Sequence, residues 1–128
     1  MELNLTHKHV LITGGSRGIG LACAKVFLEE GCKVSLVSRD PNNLEKAKTL
    51  LSSQVAGCQD RIALFSAELQ KADSAERALN EAEKTFGAID VLVNSAGAAK
   101  RTPAESLSPA FFREAMDAKF FTYINMID

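Results

Sequence analysis

Apolar residues fall into short runs separated by amphipathic stretches, and the change of period from one to the other predicts strands and helices in alternation. Val10-Leu11-Ile12 is a β-branched, apolar run leading into Thr13-Gly14-Gly15-Ser16-Arg17-Gly18-Ile19-Gly20. Beyond it Ile19, Ala22, Cys23, Val26 and Phe27 recur at helical spacing, so a strand feeds through a glycine-rich turn into an amphipathic helix. That helix runs to Glu29-Glu30 and stops at Gly31, a C′ residue. A second strand follows at Lys33-Val34-Ser35-Leu36-Val37. The second helix extends from Pro41 to about Val55, with Asp40 as N-cap and Pro41 at N1. Leu44, Ala47, Leu50 and Leu51 make its apolar face, and Glu45, Lys46 and Lys48 lie elsewhere for solvent.

Ala56 to Asp60 reads as loop and Arg61-Ile62-Ala63-Leu64-Phe65-Ser66 as a third strand. A third helix begins near Asp73-Ser74-Ala75-Glu76, an approximate capping box, and ends at Gly87. Its apolar face is Ala75, Ala78, Leu79, Ala82 and Phe86. The fourth strand, Ile89 to Val93, is apolar apart from Asp90, which predicts burial on both faces. After Asn94-Ser95-Ala96-Gly97, a loop from Ala98 to Leu107 leads to Ser108-Pro109, the cap of a last helix. That helix carries Phe112, Met116, Phe120, Tyr123 and Ile127 on one face, with Phe111, Phe121 and Ile124 widening it, so it calls for two packing partners. Strands alternating with helices through right-handed crossovers predict an α/β fold. It is a Rossmann-like, doubly wound parallel sheet in the order 3-2-1-4, helices one and two on one face and three and four on the other.

Composition narrows the partners. The 128 residues suffice for a single domain spanning the whole chain, and 15 lysines and arginines interspersed with 16 aspartates and glutamates leave a net charge of −1. No basic stripe exists to favour nucleic acid or an anionic membrane. The N-terminus has no basic, apolar leader pattern and no apolar run reaches membrane-spanning length, so a soluble, cytoplasmic protein is expected. Cys23, Cys32 and Cys58 are odd in number and form no C-x-x-C pair, which suits a reducing compartment, and the first two read as small buried hydrophobes. His7-Lys8-His9 has no cysteine or carboxylate companion and reads as a solvated strand start, with no metal expected.

Two places carry candidate chemistry. Gly14 and Gly15 permit positive φ at the strand end, while Gly18 and Gly20, lacking Cβ, permit close approach of a pyrophosphate and of the neighbouring strand. The first helical turn then offers free N–H groups and roughly half a positive charge to an anion. At the exit of the second strand, where an NAD-preferring fold usually has an acidic residue for the ribose 2′-OH, this chain has Ser38-Arg39. A hydroxyl beside a guanidinium can bind a 2′-phosphate, and Arg17 supplies a second cation.

The octet from Thr13 to Gly20 and the Asn94-Ser95-Ala96-Gly97 segment resemble T-G-x-x-x-G-x-G and N-N-A-G, the two N-terminal motifs of the short-chain dehydrogenase/reductase family. The resemblance runs from the first strand to the end of the chain and implies a cofactor-binding half that takes NADP(H). It implies Arg17, Ser38 and Arg39 at the 2′-phosphate and Gly14, Ser16, Gly18, Ile19 and Gly20 around the pyrophosphate. Glu68 and Leu69 stand where the family has an aspartate and an apolar residue at the adenine; Glu68 is one methylene longer, which changes that contact. Asn94 is implied to bridge strands, with Ala96 and Gly97 lining the nicotinamide ribose, and Ser95 replaces the usual second asparagine.

Family chemistry is hydride transfer to a carbonyl or from an alcohol, with a tyrosine as acid/base, a lysine four residues later and a serine. Here the one tyrosine, Tyr123, is followed four positions on by Ile127, and the family's helical asparagine falls at Lys119. No catalytic residue is therefore assigned in this stretch, which alone is expected to be inactive. A polypeptide continuing past Asp128 is expected to supply that chemistry on a small carbonyl or alcohol. The alternative is an inactive nucleotide-binding or assembly protein of the same descent. Oligomerisation through the last helix is a further implication of the resemblance.

Overall fold

Residues on β1 (His9–Thr13) alternate between two environments, and that alternation organises the molecule. Val10 and Ile12 enter a core with Ala24, Leu28, Leu44, Ala47 and Leu51 of the first two helices. Leu11 points the other way, into a core with Ala75, Ala78 and Ala82 of the third helix. Every residue of β1 is buried, as suits a central strand covered on both faces.

The computed structural model describes residues 5–16, 18–95 and 126. After β1 the chain forms α1 (Gly18–Glu29), β2 (Lys33–Ser38), α2 (Pro41–Gln54), β3 (Ile62–Ser66), α3 (Ala72–Phe86) and β4 (Val91–Asn94). All three strand pairings are parallel and the order is β3-β2-β1-β4, the doubly wound order that right-handed crossovers predict. The register sets Ile12 beside Leu36 and Val93, and Thr13 beside Val37 and Asn94. The strands thus finish at a common level, and the loops that leave them converge there. No helix among the described residues is long and apolar enough to cross a membrane.

Local chemistry accounts for the element ends. Gly31, at φ 87°, closes α1 in a Schellman motif: Cys32 N–H donates to the Phe27 carbonyl (3.0 Å) and Gly31 N–H to that of Leu28 (3.1 Å). Arg61 Nη1 reinforces this end by donating to the Leu28 carbonyl (3.1 Å) and the Cys32 carbonyl (2.7 Å). The Cys32 thiol is pushed above its ordinary value by burial; the Arg61 cation pulls it back down and Glu30 adds to the rise. Asp40 caps α2 by accepting from Asn42 N–H at 2.8 Å, with Pro41 in the first turn as expected.

Several expectations are corrected. The buried stripe of α1 is Gly20, Ala24 and Leu28, whereas Ile19 and Val26 are exposed. Apolar residues surround most of this helix, so periodicity alone does not fix which side faces the sheet. On α2, Leu44, Ala47 and Leu51 are buried but Leu50 is exposed, lying about 100° round the helix from Leu51. No capping box starts α3: the helix begins at Ala72 with Lys71 at the N-cap and no side-chain cap, and Asp73 instead faces the positive end of the helix. Strand β4 is half-buried rather than fully buried, since among the described residues it pairs only with β1. A short 3-10 turn, Gln59–Arg61, replaces the last of the expected loop and the first residue of the expected third strand.

His9 is the largest departure. Rather than a solvated strand start, its ring is buried (1% exposed) and edge-on to Phe86, with ring centroids 5.4 Å apart. Its Nδ1 lies 2.9 Å from the Gly87 carbonyl, which can only accept, so Nδ1 donates there. Nε2 is hydrogen-bonded to Ser35 Oγ at 2.7 Å. Asp90 completes the cluster: its carboxylate accepts from His9 N–H (2.9 Å) and its own N–H donates to the His9 carbonyl (2.8 Å).

The last helix, the loop with Lys100 and Arg101, Lys119 and Tyr123 lie outside the described residues. Met126 is helical and buried, and it joins the core on the α3 side. It was not among the apolar positions assigned to that helix.

Candidate functional site

The carboxyl ends of β1, β2, β3 and β4 bring most of the predicted site residues to one end of the sheet. In an open α/β sheet that end, where the chain order reverses between β1 and β4, is where ligands bind. Its centre is the turn after β1. Gly14 N–H donates to the Val37 carbonyl at 2.8 Å, holding the turn against β2.

Each described glycine there has its own physical reason, and the division differs from the expected one. Gly14 (φ 69°) and Gly18 (φ 58°) take the left-handed conformation, which was expected of Gly14 and Gly15. Gly15 is required for space, because a Cβ on it would come within 2.6 Å of Leu36 Cδ2. A Cβ on Gly20 would collide with the Gly14 carbonyl oxygen, so α1 rests directly on the backbone of the turn. Gly18 is different again: among the described residues nothing lies within 4 Å of a Cβ placed there. A backbone-lined cradle at a helix N-terminus can hold an anion through its N–H groups and dipole. Ile19, exposed beside it, offers an apolar wall to whatever enters.

The exit of β2 is joined to the turn. Ser16 hydroxyl donates to Ser38 Oγ at 3.3 Å, an interaction that no sequence pattern announced. Arg39 follows with its side chain 71% exposed, and its carbonyl accepts from the Ser66 hydroxyl at 2.9 Å. Ala67 N–H donates to the Ser38 carbonyl at 3.0 Å, so the ends of β2 and β3 are tied. Glu68 stands just beyond, its Oε2 3.8 Å from Arg39 Nη1. Leu69 is buried in the core on the α3 side. Arg39 and Glu68 bring a cation and a carboxylate to this edge of the site.

At the end of β4 the strand-bridging expectation for Asn94 meets a more specific geometry. Thr13 performs the bridging: its hydroxyl donates to the Val93 carbonyl (3.4 Å) and accepts from Ser95 N–H (3.2 Å). Asn94 pairs in register with Thr13, and its Oδ1 is buried with no hydrogen-bond partner among the described residues. A buried amide oxygen in that state is an acceptor in need of a donor. Arg17, Ala96 and Gly97 lie outside the described residues.

Fold and turn together define a doubly wound α/β domain of the dinucleotide-binding type. The model of the short chain dehydrogenase family matches residues 8–128, and the chain belongs to that family. A 3-dehydrosphinganine reductase of Arabidopsis thaliana, TSC10B, is 37% identical over 127 residues, covering 99% of this chain and 36% of that protein. Among solved structures, an NADPH-bound short chain oxidoreductase of Pseudomonas aeruginosa PAO1 superposes with a TM-score of 0.89 at 28% identity, covering 96% of this chain and 47% of the other. A 3-ketoacyl-(acyl-carrier-protein) reductase of Brucella melitensis in complex with NADH gives 0.83 at 28% identity, with 96% and 48% covered. The chain spans about a third to a half of the length of the curated relatives it matches, which are oxidoreductases.

Proposed function

We propose that this chain is the cofactor-binding half of an NADP(H)-dependent oxidoreductase acting on a small carbonyl or alcohol. The observation that carries the reading is the junction of the glycine turn with the exit of β2, made by Ser16 and Ser38 and followed at once by Arg39. It brings a phosphate cradle and a guanidinium to one end of the sheet. The residues suit such a cofactor: Gly20 lets α1 sit on the turn, and among the described residues nothing crowds Gly18 and Asn94 Oδ1 has no donor. The relatives' cofactors, NADPH in one solved neighbour and NADH in another, support a nicotinamide dinucleotide, and Arg39 favours the phosphorylated form.

In this reading the turn N–H groups hold the pyrophosphate, and Ser38, Arg39 and Arg17 take the 2′-phosphate. Glu68 and Leu69 flank the adenine, while Asn94, Ala96 and Gly97 border the nicotinamide side. A bound dinucleotide would give a hydride to the carbonyl or take one from the alcohol.

Equilibrium titration of the purified protein with NADPH and NADH tests the cofactor choice. NADPH should bind more tightly, and Arg39→Gln should weaken NADPH about tenfold while leaving NADH within about twofold, the loss expected for one charge-assisted contact. Tighter binding of NADH by the unaltered protein would overturn the reading.

A further inference from the structure

We infer that Glu68 sets how strongly this site prefers a 2′-phosphorylated dinucleotide, by holding Arg39; the inference rests on the cofactor reading above. Two hydrogen bonds that involve neither side chain fix the geometry. The Ser66 hydroxyl donates to the Arg39 carbonyl at 2.9 Å, and Ala67 N–H donates to the Ser38 carbonyl at 3.0 Å. The backbone therefore keeps residues 39 and 68 within side-chain reach. The carboxylate meets the guanidinium at 3.8 Å.

An ion pair whose partners are 71% and 36% exposed adds little to folding, so its consequence falls on a third charge entering the site. A 2′-phosphate arriving at Arg39 meets a partly neutralised cation and a nearby carboxylate, which it must displace or tolerate. A ribose carrying only a 2′-hydroxyl brings no charge into this contest. Glu68 thereby weakens the phosphorylated cofactor selectively and narrows the margin between the two forms. Its reach matters as much as its charge, because an aspartate would fall one methylene short of a contact already at 3.8 Å.

The test is the ratio of the NADH to the NADPH dissociation constant, measured on the purified protein and on Glu68→Gln, Glu68→Asp, Arg39→Gln and the Glu68→Gln/Arg39→Gln double variant. Glu68→Gln should raise the ratio about threefold to tenfold, the range expected for releasing an exposed pair and removing a like charge from a phosphate. Glu68→Asp should raise it in the same direction, and supplies the comparison if the glutamine variant does not fold by circular dichroism. With Arg39 replaced, the Glu68→Gln effect should shrink below about twofold, because the residue acts through the guanidinium. A general loss of adenine contact would weaken both cofactors and leave the ratio where it was. An unchanged or lowered ratio in Glu68→Gln, or a rise that persists without Arg39, overturns the inference while the cofactor reading stands. If instead Arg39→Gln leaves the ratio of the unaltered Glu68 protein untouched, the cofactor reading fails and takes the inference with it.

Discussion

A β-carbon on Gly20 would meet the Gly14 carbonyl, a backbone atom that cannot swing aside. Gly20→Ala is expected to cost about 1–3 kcal/mol of stability through overpacking. It should also weaken NADPH about tenfold or more, since displacing α1 by the equivalent of 1.4 kcal/mol at the cradle is already tenfold in affinity. Gly57→Ala is the contrasting control: Gly57, unlike the helical Gly20, has a left-handed backbone (φ 70°), and nothing among the described residues lies within 4 Å of a Cβ there. It should cost only about 1 kcal/mol and leave cofactor affinity unchanged. Thermal unfolding and NADPH titration of both variants separate steric contact from backbone strain; equal losses of affinity would deny Gly20 its special place. Sequence spacing identifies these glycines as a group. It does not assign their tasks, because whether a glycine serves φ or space depends on what lies opposite, and Leu36 and the Gly14 carbonyl come from the fold.

At the scale of elements, the order and type of the four strands and three α-helices among the described residues are legible from periodicity and punctuation, while the 3-10 turn Gln59–Arg61 is not. The stops at Gly31 and Gly87 and the Asp40-Pro41 start follow from local chemistry that needs no tertiary partner. What escapes is orientation. The side of α1 that faces the sheet is chosen by Gly20's contact with the turn, and the buried state of His9 by Ser35 and Gly87, far along the chain. The end of α1 depends likewise on Arg61, a residue from just before β3, which gives two hydrogen bonds to its last carbonyls and to Cys32. Arg61→Met keeps much of the apolar stem and removes the donors, so it should lower stability by about 1–2 kcal/mol in urea denaturation. Loss of the cation should also let the Cys32 thiol rise further, slowing its reaction with a thiol reagent in the folded state. A stability unchanged within about 0.3 kcal/mol would mean that the Schellman hydrogen bonds alone secure this terminus.

For the whole molecule, the two ends of the sheet are built on opposite principles. The carboxyl ends of the strands carry glycines, an exposed isoleucine and an open ion pair, while the amino ends of β1 and β2 are knotted through His9, Ser35, Gly87 and Asp90. Composition suggested none of this asymmetry, since a histidine beside another histidine near a chain start carries no sign of being buried. Its consequence is kinetic. Strand β4 should breathe from its Asn94 end like a zip fastened at the other, so the Ser95 amide, bonded to Thr13, should exchange with deuterium faster than the Asp90 amide, bonded to His9. Ser35→Ala, which leaves the His9 ring nitrogen unanswered, should reduce that difference, and amide exchange followed by NMR would record it. A cofactor could then enter and leave through an end that opens often, while the far end keeps the strands in register through every such opening.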